Sequence, residues 1–279
     1  MTRPWQIRLV VDPIAERAFG LALEPVAQSI ASFETAPPEV EALLLDAAAS
    51  IGRDAPLVVA SPVPDIDWVA ENQRSFPPLA IGRFYVRGSH VEGPSPAGSW
   101  PVELDAGIAF GSGEHATTRG CLLAIEAAAK RRVPRRALDL GCGSAILAIG
   151  LARAGVPHVL ASDIDRDSVR VAAENLSLNA VGAQVRVCVS DGFARLPERR
   201  GFDFVVANIL ARPLMRLAPE LARAVAPGGT LVLSGLLASQ EREIRAAYCG
   251  QRLAFTGRRA ITGWHTLEFR RRIRGAGPV

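Results

Sequence analysis

Between residues 137 and 234, short apolar runs alternate with longer segments whose apolar positions recur at helical spacing. The runs cover 137–140, 159–162, 185–189, 202–207 and 230–234, and each reads as a strand buried on both faces. Helical patterns cover 117–131, 144–154, 167–179 and 213–225. Strands alternating with crossover helices predict a doubly wound, parallel α/β sheet. A further helix over 239–248 precedes two strand patterns, 252–256 and 264–270, which predict a closing antiparallel hairpin.

The first sixty residues follow a different rhythm. Trp5, Ile7, Leu9 and Val11 alternate as one face of a strand, 13–23 reads as a helix, and 26–33 as a second strand. Pro37 and Pro38 open a helix to about Ser50, and 57–60 is a short strand. This predicts a small α+β domain over 1–64. A short linker helix over 65–72 is stopped at Phe76-Pro77-Pro78. A strand over 81–86, a Gly/Pro/Ser-rich loop over 88–99 and a strand over 101–104 that pairs with the preceding one follow. The predicted division is 1–64 for the small domain, 65–100 for linker helix and loop, and 101–279 for the large domain.

Composition narrows the class. Of 279 residues, 49% are hydrophobic and 22% charged, which suits a globular chain of one or two domains. The net charge of +4 does not by itself demand nucleic acid. Among the basic residues only Lys130 is a lysine, as codon bias in a GC-rich genome would give. Arginines cluster at 131–132, 135–136, 199–200, 258–259 and 270–272 with Arg274. They are dispersed along the chain and read as solvated helix ends and tails, so direct binding of nucleic acid is not expected, although the C-terminal cluster could touch RNA or an acidic partner. Cys121, Cys142, Cys188 and Cys249 lie far apart, so neither a metal site nor a disulfide framework is signalled. No signal peptide or membrane-spanning run is apparent, and a cytoplasmic location is expected.

The chemistry concentrates at strand ends. The run 137–140 enters Gly141-Cys142-Gly143, a helix leaves it, and the next run ends on Asp163. Strand, glycine loop, helix, strand and acid form the layout that binds an adenosine-containing cofactor: Gly141 and Gly143 admit the ligand to the backbone, and Asp163 accepts hydrogen bonds from a ribose diol. Asp139, just before the loop, favours the cationic S-adenosylmethionine over a pyrophosphate, and the third glycine of a dinucleotide fingerprint is replaced by Ile146. The bland alternative is an ordinary turn with Asp163 capping a helix. In the stretch Phe110 to Thr118, Gly111-Ser112-Gly113 precedes a helix starting at Thr117 or Thr118, whose free N–H groups can receive the carboxylate of an amino-acid moiety; equally, it is a surface loop with a threonine cap. His115, the one histidine near this site, fits a loop-positioning role better than that of a base. Asn208 ends the run 202–207 and can accept a hydrogen bond from a substrate amine, aiming the nitrogen lone pair, or else cap the helix near Pro213. Asp191-Gly192 offers a carboxylate to an adenine amine or is a simple turn. No aromatic stands ready to stack a planar substrate.

Taken in order, Phe110-Gly-Ser-Gly-Glu-His-Ala-Thr-Thr118, Asp139-Leu-Gly-Cys-Gly-Ser144, Ser162-Asp-Ile-Asp165, Ala207-Asn-Ile-Leu210 and Leu233-Ser-Gly-Leu-Leu237 resemble the ribosomal protein L-11 methyltransferase family, PrmA, from about Asp67 onward. The glycine loop is generic to enzymes that use S-adenosylmethionine; the His-x-Thr-Thr stretch combined with Asn-Ile-Leu is far more specific. The resemblance implies a small ferredoxin-like domain that captures the ribosomal protein. It implies a class I methyltransferase domain that methylates lysine side chains and the N-terminal amine. It maps cofactor binding to Thr118, Gly141, Asp163 and Asn208. The sequence departs at Ser112, Glu114 and Ala116, and at Ala145, where the family pattern has glycine. The N-terminal domain is short, with a strand between Phe33 and Pro37 expected to be missing. Rival readings are lysine methylation of another protein, such as electron-transfer flavoprotein, RNA methylation, a NAD-dependent oxidoreductase, and a non-catalytic module of the same fold.

Overall fold

The alternation of apolar runs and helical segments builds a seven-stranded sheet. The computed structural model describes residues 5–9, 27–29, 32–33, 37–52, 54, 58–62, 77–104 and 115–273. The chain divides into two compact units, Met1–Trp68 and Val69–Val279.

In the first unit, β1 (Trp5–Leu9), β2 (Ala27–Ser29), β3 (Ser32–Phe33) and β4 (Val58–Pro62) form a sheet of order β2-β3-β1-β4, and α1 (Pro37–Ile51) lies between β3 and β4 in sequence. The strand expected over 26–33 is instead two strands, paired Ala27 to Phe33 and Ser29 to Ser32. Serines at the fold-back favour a turn over an unbroken strand. The helices expected over 13–23 and 65–72 lie outside the described residues, as does the segment between Phe33 and Pro37.

In the second unit, the strand expected over 81–86 is instead two, β5 (Leu79–Ile81) and β6 (Phe84–Arg87), turned at Gly82 (φ 58°), and the strand expected over 101–104 is β7 (Trp100–Glu103). β6 pairs antiparallel with β5 and parallel with β7. Their alternate residues Ile81, Phe84, Val86 and Val102 are buried in the same apolar cluster as Leu122, Ile125 and Ile149. This small sheet is therefore part of the large unit's core. Asn179 fastens it, accepting from the Glu103 N–H (2.9 Å) and donating to the Glu103 carbonyl (2.6 Å).

The large sheet comprises β8 (Arg136–Leu140), β9 (His158–Asp163), β10 (Val185–Val189), β11 (Phe202–Asn208), β12 (Val225–Leu237), β13 (Leu253–Ile261) and β14 (Trp264–Arg271). Its order is β10-β9-β8-β11-β12-β14-β13, parallel through β12 and closed by the antiparallel hairpin. The helices are α2 (Ala116–Arg131), α3 (Ile146–Arg153), α4 (Arg166–Leu178), α5 (Ala211–Ala224) and α6 (Glu241–Cys249). Strand alternation sends Ala137, Val159, Phe204 and Val206 to one face, beneath α2 and α3. Leu138, Leu160, Val205 and Leu231 face the other way, toward Leu214 and Leu221 of α5 and Tyr248 of α6. The strand order reverses between β8 and β11, and open α/β sheets bind ligands at the C-terminal ends of strands at such a point. No helix among the described residues is long and apolar enough to cross a membrane.

Candidate active site

The glycine loop after β8 is held by the strand beside it. The N–H groups of Gly141 and Cys142 both donate to the Ser162 carbonyl, at 2.8 and 3.0 Å. Gly141 has φ 75°, and a Cβ there would stand 2.3 Å from Cγ2 of Ile209, so glycine is required on both grounds. The Gly143 N–H donates to Oδ2 of Asp163 (2.9 Å), and Oδ1 of Asp163 accepts from the Asp165 N–H (3.1 Å). The capping role goes to a different acid: Asp165 caps α4 by accepting from the N–H groups of Asp167 and Ser168. Asp163 remains at the cavity wall.

Asp139 sits differently from the sequence expectation. It does not line the cavity but lies fully buried in β8, where Oδ2 accepts from the Ala148 N–H (3.0 Å) and Oδ1 has no partner. Alternation along β8 turns its side chain under α3. Burial pushes its carboxyl up to about 7, with the charge of Asp163 adding to the rise and the Ala148 N–H opposing it. Burial likewise pushes the Cys142 thiol up, which disfavours a thiolate in the loop.

On the opposite wall, α2 is capped by His115, not by a threonine. Nδ1 of His115 accepts from the Thr117 N–H (3.4 Å) and lies 2.7 Å from Oγ1 of Thr117. Thr118 is fully buried, and its Oγ1 accepts from Nδ2 of Asn208 (3.4 Å). That bond uses one of the amide's two N–H donors, and Oδ1 of Asn208 is buried without a partner. A buried acceptor without a donor costs about 1–3 kcal/mol. Asn208 does not cap α5, whose N-cap is Leu210 with no side-chain bond.

The six residues expected to form the site, Thr118, Gly141, Gly143, Asp163, Asp191 and Asn208, all line one cavity of about 580 Å³. That size is ordinary for a small-molecule site. Much of the wall is apolar, including Ile146, Leu147, Ile164 and Leu217. At Asp191 the backbone turns, with the Ala194 N–H donating to the Asp191 carbonyl (3.0 Å), and the residue lines the cavity. Residues 105–114, including Gly111 to Glu114, lie outside the described residues.

Two residues at the site escaped sequence reasoning. Trp264, at the start of β14, lines the cavity and meets the His115 ring edge-on, with centroids 4.7 Å apart. The expectation that no aromatic stands there is corrected: the hairpin brings Trp264 in from far along the chain. Gly235 (φ 85°) lies where the β12–β14 register shifts, and a Cβ on it would come within 2.3 Å of the Ile209 carbonyl oxygen. A glycine inside a strand pattern was the available signal.

The donor set suits S-adenosylmethionine. Asp163 would accept the ribose diol, Asp191 would meet the adenine amine, and the loop backbone would admit the amino-acid moiety. The described wall presents the carboxylates of Asp163 and Asp191 with one arginine, Arg216, and Asp163 is bonded to the glycine loop where a pyrophosphate would otherwise sit.

A model of the family described as ribosomal protein L11 methyltransferase (PrmA) matches residues 21–272. Among curated relatives, a ribosomal protein L11 methyltransferase of a Chelativorans strain is 47% identical over 74% of this chain and 70% of its own length. That of Mesorhizobium japonicum is 44% identical over 83% of this chain and 80% of its own. Among solved structures, a ribosomal protein L11 methylase from Lactobacillus delbrueckii subsp. bulgaricus superposes with a TM-score of 0.64 at 29% identity, covering 71% of this chain and all of that one. The chain belongs to the ribosomal protein L11 methyltransferase family and is an S-adenosylmethionine-dependent methyltransferase of the class I fold.

Proposed function

We propose that this chain methylates amino groups of ribosomal protein L11, on lysine side chains and the N-terminus, in the cytoplasm, and that residues 1–64 recognise that substrate. The observation that carries the chemistry is Asn208 at the cavity wall, its amide anchored by Thr118 and its Oδ1 without a protein partner. The cofactor supplies an electrophilic methyl group. The chain's own task is to present a neutral, oriented amine. A free lysine amine has a pKa of about 10.4, so neutralising it at pH 7.5 costs roughly 4 kcal/mol. The apolar wall offsets part of this by disfavouring the ammonium. Oδ1 of Asn208 accepts one N–H of the neutral amine and directs its lone pair, and the bond to Thr118 holds the amide in that orientation. Proton loss to water before binding removes the need for a dedicated base. The relatives' shared name supports L11 as the acceptor.

The test is steady-state methylation of purified L11 by two variants. Asn208→Ala should lower kcat about 100-fold or more, as loss of one preorganised hydrogen bond at the reacting group does. Asp163→Ala should chiefly raise KM for the methyl donor. Turnover of Asn208→Ala within a few-fold of the parent would remove Asn208 from the mechanism.

A further inference from the structure

We propose that the sheet edge opposite the cavity is a binding surface for the phosphate backbone of helical RNA. The arginine clusters look scattered in sequence, but the topology gathers most of them at one end of the parallel strands. Arg135 and Arg136 enter β8, and Arg136 registers beside His158 at the start of β9. Arg186 follows the first residue of β10, and Arg199 and Arg200 precede β11. Arg223 precedes β12. The antiparallel hairpin delivers Arg252 at the start of β13 and Arg270 to Arg272 at the end of β14 to this same edge. Every strand of the sheet thus brings an arginine or, for β9, a histidine to this edge. At about 4.8 Å per strand the row spans roughly 29 Å.

Counter-charge is sparse. Glu198 pairs with Arg136, and Asp203 accepts the backbone N–H groups of Arg135 and Arg136. Arg131 and Arg223, in the last turns of α2 and α5, are explained in part by helix dipoles. Among the arginines at strand ends, Arg199 donates to the Ala194 carbonyl, Arg270 to that of Gly228, and Arg271 to those of Arg223 and Val225; each guanidinium carries five N–H donors, so these bonds leave others for a phosphate. A groove of about 380 Å³ runs along the edge, bordered by Arg136, His158, Arg186 and Glu198.

Arginine in preference to lysine suits bidentate phosphate binding. No aromatic is among the exposed large hydrophobic side chains, so the edge offers no platform for unstacked bases. The apolar residues exposed beside it, Val133 and Ile273, are too few for membrane insertion. Phosphates of a helical backbone fit what remains. The choice of RNA over DNA rests on the proposed ribosomal substrate; the surface itself does not. Because cavity and arginine row lie at opposite ends of the strands, both can be engaged together.

The test is binding of the full chain to a labelled 20-base-pair RNA duplex by anisotropy at several salt concentrations, beside a DNA duplex of the same sequence and a polyglutamate competitor. The combined variant Arg135→Gln, Arg186→Gln, Arg200→Gln, three exposed members of the row, should weaken RNA binding about tenfold or more at low salt. It should flatten the log–log salt slope by about one for each phosphate that the variant no longer neutralises. Its melting temperature and its methylation of free L11 should stay at parental values. A control, Arg166→Gln with Arg170→Gln at the start of α4, should bind RNA as the parent does. Equal weakening in the control, no binding at 50 mM salt, DNA held as tightly as RNA, or displacement by polyglutamate at matched charge would each overturn the proposal. Methylation of L11 in the parent reports separately on the proposed function.

Discussion

Two polar side chains, one half-buried and one fully buried, carry opposite meanings at the residue scale. The place of Asn208 at the cavity was legible in sequence because it ends an apolar run at a strand's C-terminal edge. Asp139 was legible as a carboxylate near the loop, but not as one turned beneath α3, because strand alternation decides its face and the sequence does not say which face the loop covers. Its carboxyl is raised from 3.8 to about 7 in the fold. The folded state therefore holds a proton there that the unfolded chain releases above pH 4. This contribution is fully present below pH 3.8 and is lost as pH rises through 7. In the cofactor-free chain, Asp139→Asn should accordingly gain stability relative to the parent between pH 5 and 8, on the order of 2–3 kcal/mol, as read by urea unfolding. A difference that stays constant with pH would show that Asp139 is ionised throughout. The reaction has its own pH signature. With no dedicated base, kcat/KM for a lysine acceptor should rise about tenfold per pH unit from 6.5 to 8.5; a plateau within that range for that acceptor would place a titrating base in the site.

Among elements, β12 and the hairpin hold what sequence patterning left hidden. The alternation of strand and helix was readable from 117 onward because apolar periodicity is a local signal. The meeting of Trp264 with His115, and of Gly235 with Ile209, is a product of pairing across the sheet, and no local window contains both partners. Gly235→Ala should force the β11 end away from β12, since the added carbon meets backbone and not a flexible side chain. A displacement of about 1 Å at Asn208 should cost on the order of 100-fold in kcat, with a smaller loss of thermal stability. Parental kcat in that variant would show that the close approach is not functional. Ala145 is a different case, an alanine held at φ 65° where the family pattern has glycine. Relief of about 1–2 kcal/mol on Ala145→Gly is opposed by a looser unfolded chain, about 0.4–1 kcal/mol, and by loss of a buried methyl, about 0.8 kcal/mol. Chemical unfolding should place this variant within about 1 kcal/mol of the parent.

For the molecule as a whole, the two ends of the sheet are chemically distinct. Asp163 and Asp191 stand at the cavity end and the arginine row at the other. Charge clusters separated by tens of residues cannot be summed into a surface without the strand order, which is why they read as scattered tails in sequence. Much of the first unit lies outside the described residues, and its proposed role in recognition is a prediction. A chain starting at residue 77 should bind the methyl donor as tightly as the full chain, by calorimetry, but lose at least tenfold in kcat/KM for L11.

The most direct measurement is incubation of the purified chain with isotopically labelled S-adenosylmethionine and three separate acceptors, free L11, electron-transfer flavoprotein and ribosomal RNA, with mass spectrometry to locate the label. The expected result is label on lysine and N-terminal amines of L11 alone, reduced in Asp163→Ala when the methyl donor is limiting. Label on the flavoprotein or the RNA with none on L11 would contradict it.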